Sequence, residues 1–180
     1  MPVFAYLPGL SGVFEVEISQ LHIRRSALIK ADTGIVWEEF STFERISAWL
    51  DQGHKLLAFE PRLGGKVRFS VVIEGAERFF GGTIIELLPG REITFDDGWE
   101  DQDFAYYARV TNYWTFRLTA VGDSTLVELF HHQYEAFGER VHDALDSYEM
   151  AWDNKHLRML REIVERRLGK PDLSGHEKQL

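Results

Sequence analysis

Histidines and carboxylates are the side chains here most able to do chemistry: the 180 residues include 7 His and 29 Asp plus Glu, and no Cys. The lack of cysteine removes thiolate nucleophiles, thiolate metal sites and disulfides. His131-His132 invites a metal reading, but neighbours on a strand point to opposite faces and cannot converge on one ion. His142 and His156 stand too far apart along one helix to share a site, and His22 and His54 are scattered. No ligand spacing supports a metal, so none is expected. His156 interrupts an apolar helical stripe one turn after Trp152. It could serve as a general base, since imidazole titrates near neutrality; a satisfied core histidine is the plainer reading. Glu86, Asp97, Asp101 and Asp103 could supply a carboxylate pair, yet nothing in the sequence brings two of them together. The run from Asp96 to Asp103 reads as a solvated acidic loop at a cavity mouth. Serine elbow, phosphate loop and dinucleotide fingerprint are all missing, so no cofactor is implied and no catalytic residue is assigned.

Strand phase selects a different set. If Val127 and Leu129 face inward, His131 does too, and His132 points away. By the same rule Arg25 lies with Ile23, Ala27 and Ile29, Asp97 with Ile93 and Phe95, and Asn112 with Trp114 and Phe116. An Arg, an Asp, an Asn and a His on apolar faces could orient a ligand in an apolar cavity. They could equally sit hydrated at strand ends. The rings and aliphatics expected to wall such a cavity are Trp49, Phe69, Val71, Trp114, Phe116, Tyr148 and Trp152, with His156 beside them. The 13% aromatic content fits either a bulky core or a ring-lined cavity.

These residues need elements to hold them. Phe14 to Ser19 alternates apolar and polar, and the phase shifts near Gln20, so the chain opens with one kinked strand or two short ones. Asp32-Thr33 and Ser41-Thr42 offer caps for two short helices carrying Val36, Trp37, Phe40 and then Phe43, Ile46, Trp49, Leu50. Strands then follow quickly: His54 to Phe59, Lys66 to Ile73, Arg78 to Leu88, a pair of residues Ile93 and Phe95 in alternation, Val110 to Leu118, and Thr125 to Tyr134. Gly81-Gly82 suggests tight curvature. Hairpin-like spacing means an antiparallel meander. Arg140 to Leu168 reads as one helix, roughly 42 Å long at ~1.5 Å per residue. Its apolar stripe is Val141, Leu145, Tyr148, Trp152, His156, Met159 and Ile163, and Gly169 and Pro171 stop it. The segment 1–20 reads as an extension, 21–171 as one domain, and 172–180 as a disordered tail. A curved sheet must bury its concave face, and only the terminal helix is long enough to cover it. The expected fold is therefore α+β, a helix-grip: a curved antiparallel sheet around a long C-terminal helix, with two short helices after the first strand.

The motif order resembles the START-like superfamily of polyketide cyclases and lipid-transfer proteins. It is most similar there to the homologues of the activator of the ninety-kilodalton heat-shock chaperone ATPase. The residues that carry the resemblance are Ile29-x-Ala31, Val36-Trp37, Ala48-Trp49-Leu50, Gly64-Gly65 and Gly82-x-Ile84-x-Glu86-x-x-Pro89. Further along come Ile93-x-Phe95, Phe116-x-Leu118, the stretch from Gly122-Asp123 to His131, and Trp152 with Leu157 and Leu160. Ala151 stands where the family commonly has Gly before the helix Trp.

Three functions follow as expectations. The leading one is non-enzymatic binding of a small hydrophobic or aromatic molecule between sheet and helix. The superfamily resemblance also implies cyclase, dehydratase or hydrolase chemistry in the same cavity. The family name implies stimulation of a chaperone ATPase, although only the activator's C-terminal part is matched. A net charge of −9 argues against nucleic acid, which needs a basic stripe. The apolar start of the chain, Met1 to Phe14, is broken by Pro8, Gly9 and Gly12, so neither signal nor membrane anchor is read and the cytoplasm is expected. A homodimer could form through that segment or through a sheet edge.

Overall fold

The computed structural model describes residues 22–100, 110–152 and 154–169. Expectations for 1–20, for Asp101 and Asp103, and for 172–180 fall outside those residues. The strands are β1 (Ile23–Ile29), β2 (Lys55–Phe59), β3 (Lys66–Ile73), β4 (Ala76–Leu88), β5 (Glu92–Trp99), β6 (Asn112–Val121) and β7 (Ser124–His132). They form one antiparallel sheet in the order β1-β7-β6-β5-β4-β3-β2. The meander is closed back on itself only by β1, which leaves the start of the chain and pairs with the last strand.

Alternation decides which side of each strand is dry. Ile23 and Ile29 of β1, Val67 and Phe69 of β3, Phe95 of β5, Trp114 and Phe116 of β6, and Val127, Leu129 and His131 of β7 are all buried. The sheet bends where side chains would obstruct it. A Cβ on Gly81 would stand 2.3 Å from the Val67 carbonyl oxygen, and one on Gly82 would stand 2.0 Å from Asp96 Oδ1. Glycine at both places lets β4 close against both neighbours. A bulge between Ile84 and Glu86 adds further twist.

Two short helices, α1 (Thr33–Trp37) and α2 (Phe43–Leu50), follow β1, with a single 3-10 turn at Glu38–Phe40 between them. Thr42 caps α2, its hydroxyl accepting from the Arg45 backbone N–H at 3.3 Å. Trp49 on α2 is fully buried, edge-on to Phe40 and to Phe116 of the sheet. The helix-grip architecture is thus the one expected from the order of elements.

The terminal helix differs from its expectation in one respect. It runs as α3 (Val141–Ala151) and α4 (Lys155–Arg167), with Trp152 leaving helical geometry at φ −95, ψ 62. At the break Arg25 Nε donates to the Trp152 carbonyl at 2.6 Å, tying that carbonyl to β1 where the helical ladder stops. The break also resets the buried face. On α4 it is His156, Leu157, Leu160 and Val164 that are buried, while Met159 and Ile163 from the expected stripe are half-buried.

A second difference lies just before α3. The last strand ends at His132 rather than Tyr134, because Gln133 adopts a left-handed conformation (φ 70) and a 3-10 segment, Tyr134–Arg140, follows. That turn folds Tyr134 back beneath the sheet, where it is fully buried.

Candidate functional site: an aromatic-walled cavity

Between the sheet and α3 lies a cavity of about 370 Å³. Sheet residues Val71, Ile73, Phe80, Trp99 and Trp114 make one wall, and Ser147, Tyr148, Ala151 and Trp152 make the other. Gln52, Gly53 and His54, from the loop between α2 and β2, close one end together with Lys155 at the start of α4. The rings are locked by one another. Trp114 and Trp152 meet edge to face at 4.6 Å, Phe80 contacts Trp99 at 5.1 Å, and the Trp99 indole N–H donates to the Tyr148 hydroxyl at 3.2 Å. Packed rings with satisfied N–H groups are a wall that does not collapse when the space is empty.

The expected site residues divide into three groups. Val71, Trp114, Tyr148 and Trp152 line the cavity. Phe69 and His156 stand one layer back: Phe69 stacks on Phe80 at 5.1 Å, and His156 packs on Trp152 at 4.8 Å and on the His54 ring at 5.5 Å. Trp49 and Phe116 belong to the core under α2, and Arg25 clamps the helix break; none of these three touches the cavity.

Asp97, Asn112 and His131 face inward, as strand phase suggested, and they meet one another behind the wall. His131 is completely buried. Its Nδ1 lies 2.9 Å from the Trp152 indole nitrogen and 2.9 Å from the Tyr134 hydroxyl, and its Nε2 lies 3.1 Å from the Trp114 indole nitrogen. An indole N–H only donates, so an imidazolium, with both nitrogens protonated, would face two donors. His131 is therefore neutral. Burial holds its pKa well below the usual histidine range, and the neighbouring His132 adds to the effect.

A neutral ring accepts an indole N–H at one nitrogen and bears its proton on the other. With the Asn112 amide oriented to satisfy its neighbours, its side chain reaches His131 Nε2 at 3.1 Å and its Nδ2 donates to Asp97 Oδ2 at 3.2 Å. The Trp114 N–H also reaches the Asp97 carboxyl. Burial pushes Asp97 up to about 7; the Trp114 bond opposes the rise and the Asp96 charge supports it. Tyr134 is raised above the ordinary phenol range, first by burial and then by Tyr148 and Asp97. This network fixes the orientation of Trp114 and Trp152, the two cavity indoles at its ends. It is scaffolding for the wall.

At the polar end, burial pushes His54 down to about 3, assisted by the His156 and Lys155 charges. It is therefore a neutral ring at physiological pH. Its Nε2 is buried and makes no hydrogen bond among the described residues. Among those residues no group of three His, Cys, Asp or Glu side chains could hold a metal ion.

The residues that sequence reasoning missed are Ile73, Phe80, Trp99, Tyr134, His54 and Lys155. Ile73 was in phase with Val71, and that alternation could have found it. Trp99 was hidden because Asp96 to Asp103 looked like solvent-facing loop; in fact β5 continues through Trp99. His54 and Lys155 carried no local signal, being joined only by the tertiary fold.

The comparisons with known proteins agree with this architecture. The family model for Activator of Hsp90 ATPase homolog 1-like proteins matches residues 30–165. The chain belongs to that family. A solved protein from Chromobacterium violaceum is similar at 20% identity, covering 86% of this chain and 100% of its own, with a TM-score of 0.60. The Aha1 dimer from Colwellia psychrerythraea is similar at 14% identity, covering 80% of this chain and 96% of its own, TM-score 0.52. DynU16, a protein of the dynemicin biosynthetic locus, is similar at 15% identity over 85% of this chain and 49% of its own, TM-score 0.55. At such identities the likeness speaks to fold. No curated protein matches the chain significantly. Among the described residues of this family member, no helix is long and apolar enough to cross a membrane.

Proposed function

We propose that this protein is a binding module for a small hydrophobic or aromatic molecule held between the sheet and α3. The observation that carries the reading is the cavity itself, about 370 Å³ and walled by Phe80, Trp99, Trp114, Tyr148 and Trp152. That volume falls within the ~300–1,000 Å³ range of small-molecule pockets. Its walls are held rigid from behind, which lowers the ordering cost of receiving a guest. Family membership is consistent with the reading, since a curved sheet and a helix packed across it do not match everywhere and leave such a space.

Catalysis by His131 or Asp97 on the same guest finds no support in the geometry. Neither residue lines the cavity, and His131 has both ring nitrogens engaged by the wall. A catalytic acid or base must come within hydrogen-bond reach of the reacting group.

Native mass spectrometry of the purified protein, with a thermal-shift screen of lipids and aromatic polyketides, tests the proposal. Binding predicts a retained or added small molecule and a rise in Tm, since a ligand that prefers the native state stabilises it. No adduct and no shift with any compound would contradict it.

A further inference from the structure

The cavity wall is tied to an ionisable group that does not line it. Asp97 is buried on β5, outside the cavity lining. Trp114, which borders the cavity, brings its indole N–H to the Asp97 carboxyl. Asn112, opposite Asp97 in the pairing of β5 with β6, donates from Nδ2 to Asp97 Oδ2 at 3.2 Å and reaches His131 Nε2 at 3.1 Å. His131 Nδ1 in turn lies 2.9 Å from the indole nitrogen of Trp152, the second cavity indole. One carboxyl is thus linked to both indoles, to Trp114 directly and to Trp152 through two side chains.

These surroundings suit the protonated acid. Asp97 Oδ1 is buried and makes no hydrogen bond among the described residues, and none of the groups acting on the carboxyl is a cation. A carboxylate only accepts, so in a dry site it needs donors at both oxygens. Asp96, next to it on β5, is charged and opposes ionisation. The other titratable groups described around the network are His131 on β7, Tyr134 after β7 and Tyr148 on α3, and none supplies a positive charge. His132, next along β7, points to the opposite face. Burial accordingly pushes Asp97 up to about 7, so its proton is exchanged near neutrality.

We propose that Asp97 is a proton switch for the cavity: the carboxylic acid holds the wall in its guest-binding form, and ionisation loosens Trp114 and weakens binding. The ionised group draws the Trp114 N–H, now 3.1 Å from His131 Nε2, toward itself and calls water to Oδ1. A guest seated against Trp114 opposes both changes. Such coupling is reciprocal: a guest that disfavours ionisation is itself bound less tightly once Asp97 has ionised.

This inference rests on the cavity-binding reading above, and one experiment separates the two. The intact protein would be titrated calorimetrically at pH 6 and pH 9 with 2-naphthalenemethanol, an aromatic probe with no group that ionises in that range. Wild type is expected to bind about tenfold more weakly at pH 9, which corresponds to a rise of about one unit in the Asp97 midpoint on binding. Asp97→Asn, which keeps the shape and cannot ionise, is expected to lose that dependence. The ¹³C shift of the Asp97 carboxyl reports the same coupling in wild type, and its midpoint should move up with saturating probe. Equal affinity at both pH values, the same pH dependence in Asp97→Asn, or an Asp97 midpoint unmoved by the probe would overturn the switch and leave the cavity reading standing. No binding at either pH would overturn the switch and count against the cavity reading as well.

Discussion

Asp97 is a carboxyl in surroundings that its charged form does not prefer. Buried on β5 and pushed up to about 7, it keeps its proton in the native state where the unfolded chain, with an ordinary value of 3.8, has shed it. Between about pH 4 and 7 the unfolded state therefore binds fewer protons, and this residue's contribution to stability falls as pH rises. Below that window both states hold the proton, and above it both have lost it, so the contribution is flat. His54 and His131 act in the opposite sense. Each stays neutral in the fold while the unfolded chain takes up protons below about 6.5, so their contribution is lost as pH falls. Asp97→Asn removes the first effect and leaves the second. The stability of Asp97→Asn relative to wild type is expected to grow by about 3 kcal/mol between pH 5 and 8, at ~1.4 kcal/mol per unit. Urea denaturation at both pH values measures it; an unchanged difference would show that Asp97 ionises normally. Strand phase made Asp97, Asn112 and His131 legible as inward-facing. It could not say that they face one another behind Trp114, because that depends on the register of β5, β6 and β7, which pairs Asp97 with Asn112 and Trp114 with His131.

Among the elements, the terminal helix is where local pattern and tertiary structure part. Its heptad-like stripe is continuous through Trp152, and nothing in the local sequence from Ser147 to Lys155 is a helix breaker such as Gly or Pro. At the interruption stands Arg25, distant in sequence, whose guanidinium takes the Trp152 carbonyl at 2.6 Å and also reaches Glu149 at 3.3 Å. Only the long-range contact between β1 and the helix reveals it. Arg25→Met is expected to cost about 1–2 kcal/mol in urea denaturation, toward the low end for a hydrogen bond to a charged donor because the site is partly exposed. A variant as stable as wild type would mean that packing of Trp152, not this bond, sets the break. The strands, by contrast, were readable in number and order, with ends displaced by a few residues at β4, β6 and β7 and β5 longer than its alternation showed. Val67, Phe69, Val71 and Ile73 alternate cleanly, and β3 spans Lys66–Ile73 as the alternation requires.

For the molecule as a whole, the order of elements was sufficient for the helix-grip architecture, because a bent meander followed by a terminal helix has few other ways to bury its concave face. The cavity was legible only in outline. Val71, Trp114, Tyr148 and Trp152 are in its wall, yet Trp49 and Phe116 fill the core under α2 instead. Aromatic residues on inward faces look alike in sequence whether they pack against protein or border a space; the distinction arises from the tertiary packing of α3 and α2 on the sheet. Whether a guest sits between sheet and α3 can be read at each of the five indoles. Two-dimensional ¹H–¹⁵N spectra of the indole N–H groups, recorded during titration with 2-naphthoate, report each Trp separately. Selective shifts of Trp99, Trp114 and Trp152, with Trp37 and Trp49 unmoved, are the predicted result. No shifts, or shifts confined to Trp37 and Trp49, would contradict a guest site between sheet and helix.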